Sequence, residues 1–439
     1  MKKKYRIILY TSIFLLCVVA SIILVVKKSN SVYEEESKPK VVKHKSMLSM
    51  NLEQTAGSGD YKTVTQSSWP TEGYKFNAEL SKCENGSTLS WDDTKKAVIM
   101  QGNVSDKCYV YFDIWIPSIA DYCTSGTDLA TCVKNFGDQG PSVSNIYIHN
   151  SSLTNGAGDN SYRYAGANPN NFVCFGSDAS PCPIDNLYRI IGVFGENYHG
   201  ANGKQLVKLI KYDYMTTDEL GTDGDYSQTY KEWGMDSTYK GTYGDGERIG
   251  VYYWNYKATG SATNTWSTSL LNKTNLNTNF INNIGTTWAN KIATVTWKVG
   301  GNTWANIGTK TSSVAYTNEI TNPVTTNTTD NATTYSAKIG LMYVSDYGFA
   351  ASPDAWTLTM SSYNNTTATN NNWMYMGLYE WTISRRADDS DSAFIVNRGG
   401  DVNNNYVGGY NGVRASFNLE SSVSYVSGSG SMSDPIVIN

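Results

Sequence analysis

Residues 394–419 read FIVNRGGDVNNNYVGGYNGVRASFNL. The two ends, Phe394–Val396 and Val413–Phe417, alternate like strands and read as framework. The middle, DVNNNYVGGYN, is built from residues that adapt easily to turns and reads as a loop. WTISRR just upstream supplies a further closing strand, so the C-terminal end is expected to be a hairpin or meander.

Working outward, the preceding stretch is dense in aromatics, with Trp356, Tyr363, Trp373, Tyr375, Tyr379 and Trp381. AKIGLMYVSDYGFA reads as a buried strand leaving the core, and residues 302–336, rich in Thr and Asn, as a long excursion. LYRIIGVFG and QLVKLIKYDY cluster apolar residues and predict a hairpin of Leu187–Gly195 with Gln205–Tyr214. Helical spacing joins Trp266, Leu270 and Leu271, then Ile281, Ile284, Trp288 and Ile292. Gly285 is a stop, with a restart at Thr286 or Thr287. Residues 117–186 are loop-rich. Residues 73–116 carry short apolar runs separated by the turn signals NG, DD and GN, which predicts a small β module.

The chain has 439 residues, room for two or three domains. Charged residues make up 17% and the net charge is −4, which gives no electrostatic case for binding nucleic acid. With 32 Tyr and 12 Trp there are enough large side chains for a core despite the polar tracts. Ile7 to Val26 is an uncharged apolar run, about 30 Å long as a helix and matched to a bilayer core. A signal peptide would have a shorter apolar region and a small-residue cleavage site, and none precedes Lys27. The expected order is therefore a cytoplasmic tail (1–6), a single transmembrane helix (7–26), a stalk (27–72), the β module (73–116) and a head (117–439). The lysines on both sides of the span leave its orientation open. Six of the seven cysteines fall into near neighbours, Cys83 with Cys108, Cys123 with Cys132, and Cys174 with Cys182. An even number in local pairs suits disulfides in an oxidising exterior, and no C-x₂₋₄-C spacing points to zinc. The head is thus expected outside the cell.

No catalytic signature stands out. The three histidines, His44, His149 and His199, have no motif around them, and HExxH, P-loop and GxSxG patterns are absent. Glu380 with Asp388 or Asp389 is a conceivable carboxylate pair, and adjacent acids are more often solvated loop faces. Asp223, Asp225 and Asp245 sit in Gly-rich turns without the ladder a calcium loop requires. No cofactor or metal is expected. The stronger candidate is a binding surface of Trp373, Tyr375, Tyr379, Trp381, Arg385, Arg386, Arg398, Asn403, Asn404, Asn405, Tyr406 and Tyr410. Such side chains supply rigid contact area and adaptable hydrogen bonds. The plainer alternative places Trp373 and Trp381 in the core and ties Arg414 to a buried carboxylate.

GDNSYRYAGANPNNFVCFGSD, PIDNLYRIIGVF, NNNWMYMGLYEWTISRRA, NGVRASFNLE and SGSGSMSDPIVI together resemble an uncharacterised family of surface proteins from AT-rich gut bacteria. The likeness covers nearly all of residues 74–439 and brings no activity with it. More loosely, GLYEW, VNRGG and GVRASF resemble the closing part of the formylglycine-generating-enzyme (sulfatase-modifying factor) branch of the C-type-lectin-like fold. That resemblance implies an α+β head: a twisted antiparallel sheet, two helices and long loops. It also implies late catalytic cysteines, yet none follows Cys182, and the EPN, QPD and WND marks of calcium lectins are absent. One branch of lectin-like proteins diversifies such C-terminal loops through adenine changes. Residues 401, 403–406 and 408–411 fit that set, as would an AT-rich genome writing Asn and Tyr into a turn. The combined expectation is a membrane-anchored extracellular protein that recognises a protein or glycan through its C-terminal loops. The alternatives are a formylglycine-generating-like enzyme lacking its cysteines and a structural envelope protein.

Overall fold

The computed structural model describes residues 48–65, 68–103, 105–195, 199–230, 238–244, 248–324 and 332–439. The expected tail, the membrane helix, the start of the stalk, Cys17 and His44 lie outside them. Among the described residues no helix is long and apolar enough to cross a membrane. The chain divides into two compact units between Ile116 and Pro117.

The first unit is all β: β1 (Leu48–Glu53), β2 (Tyr61–Val64), β3 (Tyr74–Cys83), β4 (Thr88–Asp92), β5 (Ala97–Gln101) and β6 (Cys108–Ile114). Its main sheet has the order β2-β1-β6-β3, and β4 and β5 form a separate hairpin. Cys108, Val110 and Phe112 alternate inward along β6, and Phe112 meets the rings of Phe76, Trp69 and Trp91. Cys83 stands opposite Cys108 in the β3–β6 register and is bonded to it. This corrects the stalk reading for part of 27–72. Leu48–Glu53 runs parallel to β6, and Tyr61–Val64 pairs with it antiparallel at the sheet edge. Six residues with a partner some sixty positions away carry too little local pattern to be recognised beside a charged, Ser-rich flank.

The second unit is α+β. One sheet has the order β16-β21-β11-β10-β8-β7, with β9 also pairing β10. Its strands are β7 (Ile146–Ile148), β8 (Tyr162–Tyr164), β9 (Phe172–Cys174), β10 (Leu187–Phe194), β11 (Leu206–Lys211), β16 (Ile339–Gly340) and β21 (Ser416–Asn418). The other has the order β12-β13-β20-β17-β18-β19: β12 (Tyr226–Thr229), β13 (Gly250–Tyr253), β17 (Glu380–Arg385), β18 (Ser392–Val396), β19 (Val402–Tyr406) and β20 (Tyr410–Gly412). Two further pairs join β14 (Val295–Lys298) to β15 (Thr334–Ala337), and β22 (Tyr425–Ser427) to β23 (Val437–Ile438). The expected hairpin is β10 with β11, both buried along their whole length. Disulfides join Cys123 to Cys132 and Cys174 to Cys182.

Helices are short. Leu129–Gly137 starts on the Asp128 side chain, which accepts the Thr131 amide. The 266–292 run is a turn at Trp266–Thr268, a wide helix at Leu271–Phe280, then Ile281–Asn283 and Gly285–Ala289. Gly285, with φ of +76°, breaks the run as expected, and the helix resumes at the glycine itself.

Three readings change. Val344–Ala350, taken as strand, is a helix buried on every side, so its sequence lacks a period to tell one from the other. Its first amides are satisfied by Glu319, which accepts from Val344 and Ser345. Residues 302–336 contain helices at Trp304–Ile307, Ser312–Tyr316 and Thr317–Thr321. Asn403–Tyr406, read as loop, belongs to edge strand β19, in register with Ser392–Ile395.

The stretch from β20 to β21 passes from one sheet to the other. Gly412 pairs with Val251 and Glu380, while Phe417 pairs with Leu209 and Ile339. Arg414 sits at this crossing, 1% exposed, and grips both oxygens of buried Glu380 at 2.8 and 2.9 Å. Removing one partner of such a pair strands the other charge in the core. Arg414→Met is therefore expected to cost about 3–5 kcal/mol in chemical denaturation, in the range measured for broken buried pairs. A loss below about 1 kcal/mol would show the pair to be dispensable.

Candidate functional site

Arg189 interrupts the apolar run of β10. Its guanidinium lies between the rings of Phe172 and Trp373, 4.4 and 4.7 Å from their centroids. Nε donates to Asn171 Oδ1 at 2.7 Å, Nη2 to the Pro169 carbonyl at 2.9 Å, and Nη1 to the Trp373 carbonyl at 3.3 Å. Burial, with Arg414 nearby, pulls its pKa down to about 9, so it keeps its charge at neutral pH. Arg414 in turn donates from Nη2 to the Met374 carbonyl at 2.6 Å. Two buried arginines thus hold consecutive carbonyls of one loop.

The same loop is fixed from its other side. The Trp373 amide donates to the Gly166 carbonyl and its indole Nε1 to the Tyr164 carbonyl, each at 2.9 Å. The Tyr375 hydroxyl donates to the Arg398 carbonyl at 2.5 Å. Lys240 stands 4.4 Å from the Tyr375 ring centroid and donates to the Thr369 carbonyl at 3.2 Å. Partial burial lowers the Lys240 pKa. Gly377 permits this arrangement: with φ of +86° its backbone packs so closely on Thr238 that a β-carbon would overlap the Thr238 carbonyl oxygen.

These elements enclose a cleft of about 260 Å³. Its floor holds Arg189 and Phe172, its walls hold Trp373, Tyr375, Tyr212 and Lys240, and amide side chains come from Asn168, Asn170, Asn370 and Asn372. Ala167, Thr369, Met376 and Met432 also line it, and among the described residues the lining includes no carboxylate. Among the described residues neither Arg189 nor Lys240 has a carboxylate partner.

The expected surface residues divide into separate places. Trp373 and Tyr375 line the cleft from within the core, 3% and 7% exposed, rather than standing on an open surface. Trp381 is core, with Nε1 on the Tyr252 carbonyl at 2.7 Å, and Arg385 is 1% exposed inside the protein rather than on a recognition face. Every residue of β17 is buried, so both are enclosed whichever face of the strand they take. Arg386 is engaged by Asp388 and Asp389. Arg398 is exposed, 5.9 Å from the Tyr379 ring centroid. Tyr410 meets Tyr253 edge-on, and Tyr253 stacks on Tyr256. Exposed Tyr406 and half-buried Asn403, Asn404 and Asn405 lie on β19. There the Asn403 and Asn405 side-chain oxygens accept the Asn404 and Tyr406 amides, each at 2.9 Å. The asparagines thus quench donors that a sheet edge would otherwise present to another chain. Sequence reading missed Arg189, Lys240, Phe172 and Tyr212. Of these only Arg189 left a signal, as a charge inside an apolar strand.

The conceivable carboxylate pair is not formed, since Glu380 serves Arg414 while Asp388 and Asp389 serve Arg386. Both head histidines are buried. His199 Nε2 lies 3.0 Å from Asp159, which Arg163 grips at 2.7 Å. Arg163 also reaches toward Asp346, 3.7 Å away, and Asp346 holds Lys208 at 2.5 Å. His149 accepts the Ala157 amide at Nδ1 and packs on Phe349 and Trp356. Among the described residues no three His, Cys, Asp or Glu side chains are placed to hold a metal. No family model, curated protein or solved structure matches the chain.

Replacing Asn403 and Asn405 by Val frees two outward amides on an apolar edge, so the double variant is expected to self-associate in sedimentation velocity. A variant that sediments like wild type would show the edge to be guarded by something else. Burial also depresses the His149 pKa far below 6.5. The unfolded chain then binds a proton that the folded chain refuses, so this contribution is intact above pH 6.5 and is lost as pH falls below it. Wild type should lose more stability than His149→Leu between pH 6 and 5, by up to about 1.2 kcal/mol, read from urea midpoints. Taking the difference cancels Glu319 and Glu380, which burial pushes up and which favour the opposite trend. Equal slopes would contradict a buried neutral imidazole.

Proposed function

We propose that this chain is a membrane-anchored extracellular recognition protein whose head binds its ligand in the cleft between Trp373, Tyr375, Arg189 and Lys240. The observation that carries the reading is the cleft itself: aromatic walls, a charged floor and four amide side chains converge on one opening. Disulfides in both units suit an oxidising exterior, and the apolar run Ile7 to Val26 supplies the anchor. On this reading the head faces outward from a bacterial cell membrane that a single helix crosses.

We take the head for a divergent C-type-lectin-like fold of the formylglycine-generating branch. In its favour, the motif stretches GLYEW, VNRGG and GVRASF meet around one sheet, with Glu380 of the first ion-paired to Arg414 of the third. Recognition is preferred to catalysis because the cysteines of the described residues are all in disulfides. His149 and His199 are also buried away from the cleft lining.

The test is an array of glycans and surface proteins probed with the whole chain in detergent. A specific hit that Tyr375→Ala weakens at least tenfold, in a variant shown by circular dichroism to be folded at the assay temperature, supports recognition through the cleft. A hit indifferent to Tyr375→Ala moves the site elsewhere, and the absence of any hit favours a structural envelope role.

A further inference from the structure

We infer that the cleft is selective for an anionic sugar ring, with Lys240 as the ion-pair partner of its acid group. This rests on the recognition reading above and narrows it to a ligand class.

The charge balance of the cleft comes first. Arg189 is 4% exposed and spends its donors on the Asn171 and Asn168 amide oxygens and on backbone carbonyls, so among the described residues no neighbour neutralises it. Arg414 behind it is matched by Glu380 and contributes no offset. Lys240 adds a second positive charge at the opening, held by a ring face and a carbonyl. Among the described residues the lining holds two cations and no carboxylate, so its charge attracts an anion entering the cleft. Arg189 acts through its field from the floor, whereas Lys240 is exposed and, with one N–H given to the Thr369 carbonyl, keeps two donors for direct contact.

Size and polarity select the remainder of the ligand. A volume of about 260 Å³ lies just below the range of about 300–1,000 Å³ typical of drug-sized ligands, which limits the occupant to one ring or a short side chain. Asn168, Asn170 and Asn370 offer paired donors and acceptors that match ring hydroxyls. Tyr212 and Tyr375 offer flat apolar contact for ring carbons. A peptide is less well served. Extended peptides bind by adding a strand to an open sheet edge, and the edge strand β19 contributes nothing to this lining. Carboxylate and sulfate share the recognised chemistry, and the ligand series separates them.

The experiment is a titration of the whole chain in detergent, followed by saturation-transfer NMR and calorimetry. The probes are methyl glucuronide, methyl glucoside, glucose 6-sulfate and N-acetylglutamate amide. An anionic sugar should bind at least tenfold tighter than the neutral glucoside, the lower end of what a charge-assisted hydrogen bond supplies. That preference should shrink between 50 and 500 mM salt. Lys240→Gln should bring acidic and neutral sugars to equal affinity with an unchanged melting temperature, and Lys240→Arg should restore the preference. The tighter of glucuronide and sulfate identifies the acid group. Equal affinity for glucoside and glucuronide, with Tyr375→Ala still abolishing both, would overturn the charge selectivity and leave recognition standing. Tighter binding of the glutamate amide than of either acidic sugar would overturn the sugar assignment. If none of the probes binds, and no array ligand responds to Tyr375→Ala, both readings fall together.

Discussion

Two guanidinium groups hold the backbone of a single loop. Arg189 reaches the Trp373 carbonyl from one sheet, and Arg414 reaches the Met374 carbonyl from the crossing between the two sheets. Neither arginine can leave without stranding polar groups in the core, a cost of about 1–3 kcal/mol for each unsatisfied group. The loop in turn carries Trp373 and Tyr375, so the wall of the cleft is set by the core and needs no ligand to form it. Preorganisation of this kind reduces the entropy that binding would otherwise lose.

A second buried polar system stiffens the head without entering the cleft. Asp159, Arg163, Asp346 and Lys208 alternate in charge across β8, β11 and the start of the helix Val344–Ala350, with the buried imidazole of His199 against Asp159. Aromatic rings enclose it: Phe194, Tyr316 and Phe349 around Arg163, and Trp297 and Tyr343 around Lys208. Ion pairs packed this way add little net stability against an apolar core of equal volume, but they penalise any other registry of the strands that carry them.

Much of the α+β framework was legible because it rests on local pattern. The hairpin Leu187–Gly195 with Gln205–Tyr214 showed its apolar runs, and Gly285 marked its own break. Neighbouring cysteines matched the pairs formed. What escaped was non-local. β1 pairs with a strand some sixty residues on, and Val344–Ala350 is buried all round and has no period. The run Asn403–Tyr406 has loop composition, yet its asparagines serve a strand edge by capping it. The site was half visible. Trp373 and Tyr375 stood out as large aromatics near the C-terminal end, but Lys240 and Tyr212 come from distant segments with no motif around them. The same criterion picked both Trp373 and Trp381, and both belong to the core as the plainer alternative expected; only Trp373 also borders the cleft, because a tryptophan in sequence does not declare which way it faces.

Hydrogen exchange at Trp373, Met374 and Tyr375 probes the shared premise without requiring a ligand. Their amides donate to the Gly166 carbonyl, the Asn372 side chain and the Asn372 carbonyl. If the two arginines hold this loop as part of the core, these amides exchange as slowly as those of β10 and β11, and Arg189→Met speeds them selectively. Exchange in the ligand-free protein as fast as in exposed turns would mean that the cleft wall is not built in advance, and the account would fail at its foundation.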